Sequence, residues 1–552
     1  MRKKSQIGRL ALGLLMLVLA SGNPGSAAEK RRTDTAYDDL VTLFEAWRDF
    51  EKPALRKGAP DYTRGAMAQK QEGLKRFQAR LAAIDTSGWS IAQQVDYHLV
   101  RAEMNGLDFN IRVLKPWERD PAFYTSVFTS QSDTPAHEGP THHALVEVWT
   151  YNFPLSKADE SKLAAELQTI PPLLEQARIN LTGNARELWI GGTINLRDQD
   201  NALAELGDKT PETQPEFKKA LRKAREATQS FVTWLESQAD SKTGPSGIGK
   251  ENYTWSLRNV HLVPLSWQQE VDLLKRELAR AHTSLRLEEQ RNRNLPPLKA
   301  ISSPEEFQRR TQEAVTKLMA FLKAKEILPI RDFMDAALRA QIGEFVPQEK
   351  RNFFLTATFY EPNTLNTHFY HWWDLARMRE TPNASPIRRK PLLYNIWDSR
   401  AEGLATAFEE MMMHAGLYDD NPHAREIVWI MLAQRAARGL GTLYAHANQF
   451  TMKQARDFQV KWTPRGWMRK DLDLLGFEQL LYMRQPGYGS SYVTGKYLLD
   501  RLFAERSNQL GDKFNLSDVF EQMNAAGVIP VSLIRWQLTG KDDEIRDLMG
   551  DN

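Results

Sequence analysis

The chain contains no cysteine. It therefore has no disulfide, no thiolate metal ligand and no residue for N-terminal lipid attachment. An excess of one charge is also lacking: 73 basic against 70 acidic side chains leave a net charge of +3. Arg2, Lys3, Lys4 and Arg9 more than account for that excess, so the composition points away from nucleic acid as a partner. Beyond the first twenty residues no apolar run is long enough to span a bilayer. Neither a G-x-S-x-G elbow nor a G-x-x-x-x-G-K-[ST] loop occurs, which removes support for a serine esterase or a phosphate-loop protein. Strand-type alternation is scarce, and no repeat of fixed period is found.

What is present begins with an export signal. Arg2-Lys3-Lys4 forms a basic start, Leu10 to Ala20 an apolar stretch, and Ser26-Ala27-Ala28 a small-residue cleavage pattern. The mature protein is expected to begin near Glu29 and to reside in the periplasm or outside the cell, with no membrane span after signal removal. At 552 residues and 41% hydrophobic content, the chain can build a large core without covalent staples. Helical periodicity dominates, so the expected fold class is all-α. Residues 29–552 read as one large helical domain with a central cleft, with an N-terminal half over about 29–245 and a cleft-bearing half over about 250–552. The run FFLTATFY, Phe353 to Tyr360, is the best candidate for a short edge strand. Capping boxes are expected at Ser303 and Thr451, and Pro171-Pro172 break a helical pattern from Ser156 to Leu181.

The chemistry concentrates between Thr367 and Glu410. His368 and His371 are three apart, so on a helix they share a face with each other. A second helix follows a loop and carries Glu402, Glu409 and Glu410. Zinc in hydrolases takes three ligands of the His/Glu type and leaves a position for water. A zinc-peptidase helix reads H-E-x-x-H. Here His371 is followed by Trp372-Trp373-Asp374, with tryptophan where the general base would stand and no second histidine after it.

Other motifs are more ambiguous. His137-Glu138-Gly139-Pro140-Thr141-His142-His143 is rich in metal-binding side chains, but Gly139-Pro140 opposes a helix and the spacing fits a polar loop. Arg435 and Arg438 form a same-face pair suited either to a ligand carboxylate or to a salt bridge. The turn Pro486-Gly487-Tyr488-Gly489 leads into a helix bearing Tyr492. Its amides and hydroxyl can face an oxyanion or simply connect two elements.

Taken together, these segments resemble the bacterial family called domain of unknown function 885, which is grouped with helical zinc metallopeptidases of the gluzincin type. Glu402 to Glu409 looks like the family's E-G-W-A-L-Y-A-E. Arg435-Ala436-Ala437-Arg438, with His446 and Thr451, looks like its R-A-A-R segment. Pro486 to Tyr492 with Gly495-Lys496 looks like its P-G-Q-x-x-S-Y-x-x-G-K, and Gly247 to Glu251 like a glycine run upstream. The departure is at the metal motif. His371 stands for the first histidine of H-E-x-x-P-G-H, but the base has become Trp372 and the second histidine Arg377. Thr442 and Tyr488 replace an Asp and a Gln.

By resemblance, His371 and Glu402 remain as metal ligands, and the residues themselves add His368. His446 and Tyr492 would act as transition-state donors. Arg377 would put a positive charge where the metal sat and pair with Glu402. Arg435, Arg438, Arg377 and Tyr488 would bind substrate. The leading expectation is an exported metallopeptidase-like protein with lost or altered zinc hydrolysis and a retained cleft for a peptide or small carboxylate. Its cofactor is then either none or zinc. One alternative is an active metal-dependent peptidase with a rearranged site, using Asp374 or Glu409 as base. Another is a saccharide-binding or saccharide-cleaving protein using Glu409 and Glu410 as an acid–base pair.

Overall fold

A computed structural model describes residues 24–134, 142–394, 398–472 and 474–550. Residues 1–23, which hold most of the expected export signal, and His137 to Thr141 of the histidine-rich motif lie outside the described residues. The fold is all-α, with helices running from Pro24–Glu51 to Asp543–Met549. Strand pairing among the described residues is confined to two pieces. Leu55–Arg56 pairs antiparallel with Ala59–Pro60, and Val127–Phe128 pairs parallel with Val146–Glu147. One buried apolar cluster extends from Leu40 to Leu548.

Helix boundaries follow local chemistry. Thr451 forms a complete capping box with Gln454, and the Ser303 hydroxyl accepts from Glu306 N. The pattern from Ser156 divides into Lys157–Leu167 and Ile170–Asn180. Its two prolines sit in the first turn of the second piece, where no intrahelical donor is lost. A helix over Arg186–Lys209 had no counterpart in the sequence reading. Its Gly191-Gly192 pair reads as a breaker, yet it lies where Leu480 and the backbone of Ala122 pack closely against the helix.

Phe353–Tyr360 is a helix and not an edge strand. Asn352 caps it by accepting from Leu355 N at 3.0 Å, while Phe353 and Ala357 face the core. Phe359 stacks on Phe307 with centroids 4.9 Å apart. A run that is apolar at nearly every position carries no period, so its pattern cannot separate strand from helix.

The site is framed by the Tyr370–Glu380, Asp398–His414, His423–His446 and Tyr488–Leu510 helices, with Trp267–Asn292 packed behind. Gly403 and Gly495 face each other where the Asp398–His414 and Tyr488–Leu510 helices cross. A Cβ on either would collide with the other helix's backbone. This close approach sets how near Glu402 comes to the tyrosines opposite. No described helix is long and apolar enough to cross a membrane.

Candidate metal centre

His371 lies in the first turn of the Tyr370–Glu380 helix, and His368 lies in the turn just before it. The expected shared helix face is therefore a junction between turn and helix. The two rings still come within 5.1 Å, nearly perpendicular. Trp373 anchors the helix from behind: it is buried and donates from Nε1 to Met334 O at 3.0 Å. Tyr370 packs on Phe408 of the Glu402-bearing helix.

Glu402 meets both histidines. Its Oε2 lies 3.1 Å from His371 Nε2 and 3.4 Å from His368 Nε2. The three side chains are 2%, 2% and 8% exposed for Glu402, His371 and His368 as residues. Each contributes one ligand atom to a group lying within 4.8 Å. A tetrahedral zinc ion with bonds of about 2.0–2.1 Å spaces its ligands about 3.3 Å apart. The two distances to Glu402 match that spacing.

Further residues orient these donors. Glu409 Oε1 is 2.9 Å from His368 Nδ1, and Glu409 is gripped by both terminal nitrogens of Arg435 at 2.7 Å each. Arg435 Nη2 also lies 3.1 Å from His368 Nδ1, so Glu409 and Arg435 together fix the ring with Nε2 turned toward Glu402. A carboxylate that fixes a histidine in this way is the usual support of a metal-binding imidazole. Glu402 Oε1 accepts from Tyr488 OH at 2.7 Å and Tyr492 OH at 2.9 Å. Arg438 stacks beneath Tyr492 at 4.0 Å while pairing with Glu478 at 2.6 Å.

Two imidazoles set against one buried carboxylate call for positive charge between them. Burial opposes charge on His371, but Glu402 outweighs it and raises the imidazole to about 9. Burial likewise opposes charge on Glu402, while His371 and His368 hold it well below the usual carboxylate range. The donor set, two imidazoles and one carboxylate with support for His368 and Glu402, fits zinc in a hydrolase-type site.

Several expected roles go elsewhere. Arg377 does not pair with Glu402. It pairs at 3.0 Å with Asp374, one helical turn back, and Arg400 also binds Asp374. Arg435 is buried with both terminal nitrogens on Glu409, whereas Arg438 is buried with Nη1 on Glu478 and its Nε and Nη2 without a hydrogen-bond partner among the described residues. His446 is buried with Nε2 on Tyr482 O at 2.9 Å, and burial lowers it to about 4. It is neutral, and its one N–H is spent. Glu410 turns away from Glu409 toward Arg280 and Lys496, so the two do not form an acid–base pair. His142 is a structural residue, set between Ser126 Oγ, Thr125 O and Ala144 N. His143 lies on Glu51 at 3.3 Å.

One residue near the cluster escaped the sequence reading. Asp133 lies in electrostatic reach of His371, Glu402 and His368, and burial pushes its carboxyl above the ordinary range. Its Oδ1 is buried without a hydrogen-bond partner among the described residues. It comes from the connection between Val127–Phe128 and Val146–Glu147, more than 200 residues from the histidines. No spacing rule reaches that far.

Comparison with known proteins agrees with the architecture. Two solved structures share it. One is titled "The structure of a putative lipoprotein of unknown function from Shewanella oneidensis"; it is 16% identical, with a TM-score of 0.66, over 92% of this chain and 98% of that one. The other, titled as a putative lipoprotein from Colwellia psychrerythraea, is 15% identical, with a TM-score of 0.65, over 93% and 99%. At such identity the likeness speaks for the fold alone, and this chain has no cysteine to carry a lipid. No curated protein matches. The family model described as "Bacterial protein of unknown function (DUF885)" matches residues 51–356. The match includes Asp133 and ends before His368. As it covers more than half of the chain, the protein belongs to the DUF885 family of bacterial proteins of unknown function.

Proposed function

We propose that this protein is an exported, zinc-dependent hydrolase of carbonyl-centred bonds, with peptides as the first substrate class to test. The observation that carries this reading is the convergence of His368, His371 and Glu402, with Glu402 Oε2 3.4 and 3.1 Å from the two imidazoles. It is the rearranged-site alternative, and the geometry favours it over a site that has lost its metal. Bound zinc in such a set activates water and polarises a carbonyl oxygen. The chain's own residues do the rest. Glu409 and Arg435 hold the His368 ring with Nε2 facing Glu402. Tyr488 and Tyr492 fix the Glu402 carboxylate and keep its second oxygen occupied. Arg438 holds the Tyr492 ring from below.

The competing reading is a binding protein in which a proton on His371 replaces the metal permanently. The raised imidazole favours it. Elemental analysis of the mature protein from Glu29 onward decides between them. About one zinc per chain, with chelator-sensitive cleavage of a peptide library, supports the hydrolase. No zinc after add-back sinks it.

A further inference from the structure

A cavity of about 370 Å³ lies in the N-terminal half and shares no lining residue with the histidine–glutamate cluster. It opens between the end of the Pro24–Glu51 helix, the Arg64–Ala82 helix and the segment around Trp117. Its volume is in the range of small-molecule sites. Phe50, Tyr62, Trp117, Phe123 and Tyr394 give it aromatic walls, and Glu51, only 3% exposed, is set among them. We infer that this cavity binds a small organic cation, a primary amine on an aromatic body, with Glu51 as its counter-charge.

The argument starts from what Glu51 has and lacks. A buried carboxylate is costly unless it is hydrogen-bonded and paired. Glu51 Oε1 accepts from the Tyr394 hydroxyl. Its Oε2 lies 3.3 Å from Nε2 of His143, a side chain that remains 36% exposed. No lysine or arginine pairs with it among the described residues. The cations that line the cavity are spent or turned outward. Lys70 Nζ donates to Phe50 O at 2.5 Å and Glu51 O at 2.8 Å, closing the end of the helix. Lys52 pairs with Asp49 at 2.9 Å on the surface, and Arg76 is exposed. The other acid on the wall, Asp61, accepts from Thr63 N at 2.9 Å. An entering ammonium would thus meet a buried carboxylate that lacks a full positive partner, and would form a charge-assisted hydrogen bond there.

The walls suit the same ligand. A desolvated cation is attracted to aromatic faces, and the ring attached to it fills apolar space between them. Tyr62 meets Phe123 edge to face at 5.0 Å, and its buried hydroxyl has no hydrogen-bond partner among the described residues. That oxygen can accept a further ammonium proton.

Both polar groups are held in place by the fold. Glu103, fully buried, accepts from Leu393 N at 2.9 Å and Tyr394 N at 3.0 Å, and Arg48 Nη1 donates to Pro391 O at 2.7 Å. Gly106 gives Tyr394 its room, since a Cβ there would overlap the Tyr394 Cβ. Tyr62 N donates to Gln176 Oε1 at 2.5 Å, and Asn180 Nδ2 donates to Tyr62 O at 3.0 Å. A site fixed before its ligand arrives loses little on ordering.

The test is calorimetric titration of the mature protein with three probes that share a phenyl ring: 2-phenylethylamine, 2-phenylethanol and 3-phenylpropanoate. The amine is expected to bind at least about 10-fold more tightly than the alcohol, the gain of a hydrogen bond to a charged group, and the carboxylate most weakly. Glu51→Gln keeps the shape and an acceptor for Tyr394, and is expected to erase the preference for the amine over the alcohol. Wild type alone can overturn the inference. Equal binding of amine and alcohol would mean an apolar pocket without charge recognition. Preference for the carboxylate would assign the cavity to anions through Lys70 and Arg76. No binding of the amine would leave the cavity without this ligand class. An amine preference that survives in Glu51→Gln would place the amine elsewhere, at the metal centre for instance, and overturn it as well.

Discussion

Two fully buried glutamates flank the Tyr488–Leu510 helix, and they are treated in opposite ways. Tyr488 and Tyr492, one turn apart, donate to Glu402. Ser490 and Thr494, one turn apart on the opposite face, donate to Glu270, joined by Tyr253. Both carboxylates therefore have hydroxyl donors. Only Glu402 also has two imidazoles. Burial raises Glu270 to about 7 against its hydroxyls, whereas the histidines hold Glu402 well below the ordinary range. Hydroxyl donors alone do not keep a buried carboxylate charged; a cation does. The Glu402 site is built around positive charge, whether a proton or a metal ion.

The strongest way to break this contrast is to remove a ligand. His371→Ala and Glu402→Gln should each lower bound zinc from about one per chain to background, as read by elemental analysis, with the helical circular dichroism retained. Next comes the support. Glu409→Ala leaves Arg435 buried and unpaired and should cost about 3–5 kcal/mol in denaturant unfolding. The milder Glu409→Gln should weaken zinc about 10–100-fold in competition with a chromophoric chelator.

The other glutamate tests the same idea through pH. Between pH 4.5 and about 7 the folded protein keeps a proton on Glu270 that the unfolded chain releases, so this residue's contribution to stability falls as pH rises. Glu270→Gln should then be more stable than the parent at pH 8, by up to about 3 kcal/mol. The gap should close below pH 4.5, and melting curves across that range would show it. The smallest effect is expected at His142→Ala. It removes buried hydrogen bonds worth about 1–3 kcal/mol and should leave zinc unchanged, since His142 serves the Val127–Val146 connection.

That last variant also marks how far the sequence could be read. His142-His143 and His368–His371 are both close pairs of histidines, and the motif with more histidines in the chain is the one whose described members go to separate partners. The three-residue spacing of His368 and His371 foretold a common direction, though the element between them is a turn entering a helix. The partnership of Glu402 with the tyrosines was not legible, because it depends on the crossing at Gly403 and Gly495. Arg377 was expected on Glu402 from its place in a motif, but Asp374 is nearer along its own helix. Asp133 gave no signal, being an ordinary polar residue in an irregular segment.

By itself, the sequence determined the helical class and the absence of covalent staples. It also marked the stretch from Thr367 to Glu410, three of whose side chains, His368, His371 and Glu402, the structure brings together. These follow from composition and from periodicities of a few residues, which act locally along the chain. The tertiary structure decided which carboxylates are spent on arginines, which histidines share a carboxylate, and which acid is left with an unmet oxygen. Those outcomes depend on ångström-scale distances between helices far apart in sequence, set by how glycine crossings and buried aromatic side chains let the helices approach.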